Sequence, residues 1–482
     1  MDQPIILDRL LKHGKKDMVS FHVPGHKNGK IYERYNYKNF TGQWLSLDVT
    51  EIPGMDNLHA PEDMIKEAQE RAAKFYRADH TFFLVDGTSC GIIAMLMAVA
   101  NPGDKIIVPR DCHKSVLHGL ILGNLIPAYI QPEVCSDTGI PMGILPETVE
   151  RAFKEHPEAK ALVITYPNYY GICSDVQEIA KIVHKYDKIL LVDEAHGAHL
   201  NLSEALPVPA IEAGADIAVQ STHKTLPAFT QASMLHVKSR KVNVDRLKMM
   251  LAMHQSTSPS YLLMASLDMA RTIVEGEGKF LMDQLLGHVE HFKKQIAAIG
   301  KIKILDQGLV GKLGVKAVDA TKLVIDMTEL GISGTLLEEL LRTKYHIQVE
   351  MANMSAIVAV STIGNDRRDF ERFIHALMGI KDGKGIAHRH IEVPLYSYRI
   401  PPMRLTPRQS IYMEKVAVDF TNSSGKISGE YLIPYPPGIP LLCPGEEITE
   451  EVIQYVQLLK RNGVQIIGIE DKELQKIKII EF

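Results

Sequence analysis

Four short stretches set polar, chemistry-bearing side chains directly after apolar runs: "VDGTSCG" (85–91), "VPRDCHKSV" (108–116), "LLVDEAHGAH" (190–199) and "QSTHKT" (220–225). In the first, Gly87, Thr88 and Ser89 stand where a strand turns into a helix. Free backbone N–H groups and two hydroxyls there suit a phosphate, although a simple helix cap explains Thr88 or Ser89 equally well. In the second, Asp111 is placed to cap a helix and His113 to face the strand ends, where an imidazole can stack on a flat ligand. In the third, Asp193 ends a fully apolar strand. A carboxylate removed from water needs a cationic partner, and a protonated ring nitrogen serves. His196 and His199 follow and can donate hydrogen bonds to ligand oxygens. In the fourth, Lys224 lies just past the run "ADIAVQ", where a lysine is a surface residue, a phosphate ligand or a nucleophile.

Taken together these groups select the third role. A phosphate at Gly87–Ser89, a ring against His113 and a protonated ring nitrogen at Asp193 are the parts of pyridoxal 5′-phosphate. Its aldehyde needs an amine for a Schiff base, and Lys224 lies at a neighbouring strand end with Ser221 and Thr222 in reach of the phosphate. A lysine desolvated near cationic groups has a depressed pKa and becomes nucleophilic. The rival reading takes "LVDEAH" as the acidic box of an ATPase, which requires G-x-x-x-x-G-K-[ST] elsewhere. The nearest match, "GHKNGKI" (25–31), is one residue short and has Ile31 in place of the hydroxyl.

The elements that must carry these residues are legible as alternation. "TFFLV" (81–85), "KIIVP" (105–109), "IPAYIQP" (126–132), "ALVITY" (161–166), "KILLVDEA" (188–195), "DIAVQ" (216–220) and "ASMLHV" (232–237) read as buried strands with helices between, such as "SDVQEIAKIVHKY" capped by Ser174. That pattern predicts a mainly parallel α/β sheet, whose ligands collect at the carboxyl ends of the strands. Residues 255–300 read as a helical connector, followed by a smaller α+β unit with strands "KLVIDM" (322–327), "IQVEM" (347–351) and "AIVAVST" (356–362). The polar "KDGKGIAHRH" (381–390) reads as a linker. The expected partition is an N-terminal segment 1–40, a cofactor-binding large domain 41–275, a small domain 276–382 and a C-terminal domain 383–482.

The composition is that of a globular protein, 45% hydrophobic and 23% charged, with a net charge of -4 that speaks against nucleic acid or an anionic membrane as partner. No apolar run is long enough to span a bilayer. "MDQPIILDRLLKHGKK" reads as an amphipathic helix and lacks the order of a signal peptide. The 5 cysteines are scattered and form no C-x-x-C, so reduced thiols in a cytoplasmic protein are expected, with neither disulfides nor a metal site.

The set "FHVPGHKNG", "DGTS", "CHKS", "VDEAHGAH", "STHK", "STSPSY" and "YPPGIPLLCPGE" resembles the bacterial ornithine/lysine/arginine decarboxylase family, over about residues 20 to 447. The resemblance implies a fold-type I pyridoxal-phosphate enzyme: a mainly parallel seven-stranded sheet with helices on both faces, plus smaller α+β C-terminal domains. It is closest to the short form without an N-terminal wing, which implies a homodimer or a dimer of dimers rather than a decamer. It further implies roles for single residues. Lys224 matches the Schiff-base lysine, Asp193 the partner of the pyridine nitrogen and His113 the stacking histidine. Ser221 and His223 match groups that hold the phosphate and the lysine, Thr88 and Ser89 match phosphate ligands, and His196 matches a histidine near the cofactor's phenolic oxygen. In "HQSTSPSY", Ser256, with Thr257 as second choice, aligns with a hydroxyl that reaches the phosphate of the neighbouring subunit, which makes the active sites shared. The implied reaction is decarboxylation of arginine, lysine or ornithine to a polyamine precursor. Glu350 and Glu446 are candidates to meet the distal cation of that substrate, against the plainer readings of a strand-end acid and a cap of the last helix. Met351 and Ala352 depart from the lysine and threonine that large forms carry after the corresponding "VE". Asp48, Glu51 and Asp56 lie in a loop that can line the entrance. The same cofactor also serves side-chain lyases and aminotransferases; the latter hold the substrate carboxylate with an arginine, for which Arg367 and Arg368 are the candidates here. A non-enzymatic regulatory protein on this fold is the remaining alternative.

Overall fold

The computed structural model describes residues 19–22, 25, 27, 30–35, 37, 50–51, 55–383, 399–435, 438–461 and 463–481. The expected N-terminal helix, Asp48 and the linker residues 384–390 lie outside them.

The predicted strands of the large domain all form, and they assemble into one seven-stranded sheet. They are β1 (His80–Leu84), β2 (Lys105–Pro109), β3 (Ile126–Ile130), β4 (Ala161–Thr165), β5 (Ile189–Asp193), β6 (Ile217–Gln220) and β7 (Ser233–Val237), in the spatial order β1-β7-β6-β5-β4-β2-β3. β7 runs antiparallel to both its neighbours, and the other pairings are parallel. Successive side chains of a strand point to opposite faces. Accordingly Ile106, Val108, Ala161, Val163, Leu191, Ile217 and Val219 enter one core cluster, while Ile107, Leu162, Ile164, Leu190, Val192 and Ala218 enter another on the opposite face. A sheet buried on both faces has no use for polar alternation, which is why these strands read as continuous apolar runs.

The first face is covered by α1 (Gly87–Val99) and α2 (Lys114–Leu122), the second by α3 (Pro146–Glu155) and α4 (Val176–Lys185). α4 buries Val176, Ile179, Ala180 and Val183 at helical spacing. Its cap is Asp175, whose Oδ1 accepts the Glu178 N–H; the expected cap, Ser174, instead accepts the Ile144 N–H at 2.9 Å. Likewise α2 is capped by His113 rather than by Asp111.

The connector is one helix, α5 (Tyr261–Ile299), of 39 residues. It runs without a break through position 275, where the sequence predicts a boundary. Its far end packs on the helix Arg367–Lys381 through Phe292, whose ring lies 5.2 Å from that of Phe373. The small domain adds an antiparallel sheet containing β8 (Lys322–Asp326) and Ala356–Val360. The predicted strand "IQVEM" splits at Glu350. Ile347–Val349 pairs in parallel with Val19–Phe21, and Met351–Ala352 pairs antiparallel with Ala356–Val360 side. The C-terminal residues form their own core around Phe420, Leu442, Val456 and Ile477, and send the antiparallel strand pair Ile433–Tyr435 and Gln465–Ile467, joined through the helix Glu450–Arg461, toward the large domain. Among the described residues, no helix is long and apolar enough to cross a membrane.

Candidate active site

The carboxyl ends of β2, β4, β5 and β6 open into a cavity of about 320 Å³, a size that suits a small cofactor. It is lined by Thr88, Asp111, His113, Thr165, Tyr169, Asp193, His196 and Lys224 from the large domain, and roofed by Ile433, Tyr435, Ile439 and Ile467 from the C-terminal domain. A wider cleft of about 700 Å³, between His59 and Lys248, holds none of these groups.

Lys224 sits on a single helical turn, Thr222–Thr225, that begins two residues after β6 ends. Its Nζ lies 3.1 Å from His196 Nε2. Burial pulls its pKa below the ordinary lysine value, and the charges of Asp193 and Glu350 only partly restore it. The amine is thereby biased toward its neutral, nucleophilic form. This turn is seated by Gly25: its N–H donates to the His223 carbonyl, and a Cβ on it would collide with the Leu226 backbone.

Asp193 is 2% exposed and accepts one hydrogen bond, from the Ala195 N–H at 3.1 Å. Among the described residues no cationic side chain stands within ion-pairing distance of it. Burial raises its pKa, against the attraction of Lys224. Beside it, across the β4–β5 register, the buried Thr165 hydroxyl has no partner among the described residues. A buried carboxylate without a counter-ion next to an unsatisfied hydroxyl is an incomplete polar site.

The three imidazoles nearest Lys224 are all held neutral. Desolvation of the ring brings His113 down to about 4, with Lys224 adding to the effect, although the residue as a whole is exposed. Burial likewise brings His223 to about 4 and puts His196 well below the usual range. Their partners define the protons. The Ser115 N–H donates to His113 Nδ1, so His113 carries its proton on Nε2. His223 Nδ1 lies 3.0 Å from the Ala232 carbonyl and donates to it, which leaves Nε2 as an acceptor.

At the mouth of α1 the chain turns through Gly87 at φ +75, a conformation that favours glycine, and no side chain caps the first turn. Thr88 Oγ1 and Ser221 Oγ meet there at 3.0 Å. Uncapped N–H groups and two converging hydroxyls form an anion cradle. Ser89 is exposed on the same turn.

Two expected residues lie elsewhere. Ser256 is exposed; its N–H donates to Asp86 and its hydroxyl to the Ser258 carbonyl, so within one chain it does not reach the cavity. Glu446 neither faces a substrate nor caps the last helix. Its carboxylate, 1% exposed, clamps Arg110 at 2.6 and 2.7 Å and accepts the Cys443 N–H, while Thr449 caps the helix Glu450–Arg461. A buried guanidinium requires that partner. Arg110 also sits over the Tyr129 ring, 4.9 Å from its centroid, and directly precedes Asp111 and His113. The pair therefore ties the C-terminal domain to the strand end that bears His113. Arg110→Met leaves Glu446 charged and unpaired, and we expect a loss of about 3 kcal/mol of stability, read by urea unfolding. A double variant with Glu446→Met should recover part of that loss.

Glu350 stands one contact behind the cavity wall, where it accepts the Tyr169 hydroxyl at 2.7 Å. Sequence reasoning missed that tyrosine, and also Lys322 and Lys27, both 1% exposed. Burial brings Lys27 down to about 7, although its Nζ donates to the His22 carbonyl. A lysine opening an otherwise apolar run, as in "KLVIDM", is the only local trace of Lys322. Arg367 is on the surface, paired with Glu371 at the start of its helix, and so offers no anchor for a substrate carboxylate.

Comparisons with known proteins agree with this geometry. The description of the Orn/Lys/Arg decarboxylase major domain matches residues 4–369, and that of the family's C-terminal domain matches residues 397–478. The arginine decarboxylase of Bacillus subtilis (strain 168) is 39% identical over 476 residues, covering 98% of this chain and 96% of its own. That of Halalkalibacterium halodurans is 38% identical over 483 residues, covering 100% and 98%. The solved lysine decarboxylase A from Pseudomonas aeruginosa superposes with a TM-score of 0.78 at 23% identity, covering 99% of this chain and 80% of that one, a likeness of fold. With both of its domains matched and relatives aligned end to end, the chain belongs to the Orn/Lys/Arg decarboxylase family.

Proposed function

We propose that this protein is a pyridoxal-phosphate-dependent decarboxylase that converts a basic amino acid, arginine foremost, to its amine and CO₂. The observation that carries the reading is the cavity itself. A half-buried lysine with a desolvated amine, a buried carboxylate without a counter-ion and an uncapped, hydroxyl-lined helix start all open into it. Each has the chemistry of one part of the cofactor, so the residues fit the group. Lys224 would hold its aldehyde carbon, Asp193 its ring nitrogen, His113 its ring face, and Gly87, Thr88, Ser89 and Ser221 its phosphate. Once bound, the cofactor supplies an electron sink for the pair released as the carboxylate departs. The chain supplies the rest. Asp193 keeps a proton on the ring nitrogen, the neutral histidines place N–H donors and lone pairs without adding charge, and the C-terminal roof excludes water.

Arginine is favoured by the names of the relatives with nearly 40% identity. For recognition of the substrate cation we retain Glu350, whose charge is felt by Lys27, Lys224 and Lys322. Glu350→Gln is expected to raise KM about tenfold, or ~1.4 kcal/mol, with kcat changed less. An unchanged KM removes Glu350 from substrate recognition. We also propose a homodimer or dimer of dimers in the cytoplasm, with the exposed Ser256 loop serving the partner's site, and the domain partition at about 40, 275 and 382. The deciding experiment incubates the purified protein with arginine, lysine and ornithine in parallel. It reads amine product by mass and weighs CO₂ against keto acid. Keto acid without CO₂ would replace this reading with an aminotransferase.

A further inference from the structure

His196 is gripped from both sides. Its Nε2 faces Lys224 at 3.1 Å, and its Nδ1 faces the Nζ of Lys322 at 2.8 Å. Lys322 comes from the small domain, where it opens β8, 126 residues away along the chain. It is 1% exposed, and its stem lies against Gly171 so closely that a Cβ there would have no room. Burial brings Lys322 down to about 8, while the charges of Asp319 and Glu350 favour its ammonium form and keep it the major one at neutral pH. Asp319 is itself buried and held, by the Thr321 hydroxyl at 2.7 Å and by His199 at 3.2 Å. Both histidines of "DEAHGAH" thus dock onto the small-domain stretch "DATK" (319–322).

An ammonium has no lone pair, so Lys322 can only donate to Nδ1. A neutral imidazole that accepts at one nitrogen carries its proton on the other. We infer that Lys322 is a positioning residue that fixes His196 as the Nε2–H tautomer, so that the imidazole presents a proton toward Lys224 and takes up none from it. The contact also couples the geometry of the site to the docking of the small domain, since the two ends of the hydrogen bond belong to different domains. The cation beside Nδ1 opposes a second proton on the ring, in line with the downward pull on His196.

The test reads the tautomer directly. Protein labelled with ¹⁵N at histidine is examined by two-bond ¹⁵N–¹H correlation, cofactor-free and loaded, with His196 assigned by its loss in His196→Gln. The wild-type protein should show the Nε2–H pattern, and an Nδ1–H pattern would overturn the inference without any variant. Lys322→Met keeps the stem against Gly171 and removes the donor. In it, the His196 signals should shift toward a mixture of tautomers, and kcat should fall at least about tenfold while KM changes less than about threefold. A Lys322→Met protein with unchanged His196 nitrogen shifts would also overturn it. The kinetic arm rests on the decarboxylase reading, but the tautomer in cofactor-free protein does not. Failure of the one is therefore distinguishable from failure of the other.

Discussion

Lys224→Ala is expected to abolish decarboxylation, lowering turnover more than about a thousandfold, which is at least ~4 kcal/mol of barrier. The absorbance band of bound cofactor near the visible edge should vanish with it. The reason is positional. Among the described residues two lysines line the cavity: Lys114 is exposed at the start of α2, whereas Lys224, on the short turn after β6, is desolvated and lies against His196. Lys322 is buried behind His196, and Lys27 is tied to the His22 carbonyl. Neither lines the cavity. The variant should fold, because removing a desolvated amine relieves a cost and leaves the Thr222–Thr225 turn and its Gly25 seat in place. Retention of both the band and the activity would remove the lysine from the chemistry and end the cofactor assignment.

The second large effect separates function from stability at one atom. Asp193→Asn keeps the side-chain shape and the acceptor for the Ala195 N–H but removes the charge that a protonated ring nitrogen needs. Activity should fall roughly a thousandfold, about 4 kcal/mol, in line with the loss of one member of a buried ion pair. Without cofactor the sign reverses. Burial raises the Asp193 pKa, so the folded state prefers the protonated form. The group's contribution therefore favours folding below its unfolded pKa and is lost as pH rises through the folded one. At neutral pH the ionised group opposes folding, and asparagine removes that opposition. Cofactor-free Asp193→Asn should then be at least as stable as wild type at pH 7, with the difference shrinking as the solution is acidified. Urea unfolding across that range checks it, and a cofactor-free variant less stable than wild type at pH 7 would contradict the account.

What could be read from the chain depended on how local its cause was. The seven large-domain strands were visible because a sheet covered on both faces leaves uninterrupted apolar runs, and the residues just past them were visible because ligands gather at those ends. Lys224, Asp193, His113, His196 and Thr88 do meet around one cavity. Caps were misplaced when two polar residues adjoined, as with Ser174 beside Asp175, because local pattern does not say which side chain will turn back on the helix. The partners that escaped are distant ones. Arg110 finds Glu446 across 336 positions and His196 finds Lys322 across 126, and nothing near either residue marks the pairing. The strand "IQVEM" read as continuous because its break at Glu350 arises from two different neighbours, Val19–Phe21 on one side and Ala356–Val360 on the other.

The roof over the cavity comes from Ile433, Tyr435, Ile439 and Ile467, more than two hundred residues beyond Lys224. During synthesis, the amine, the carboxylate and the anion cradle therefore all leave the ribosome long before the walls that dry them. A nascent chain paused near residue 400 exposes its nucleophile to bulk solvent and to any stray aldehyde. The site is enclosed only when the strand pair of Ile433–Tyr435 and Gln465–Ile467 folds down and Glu446 meets Arg110.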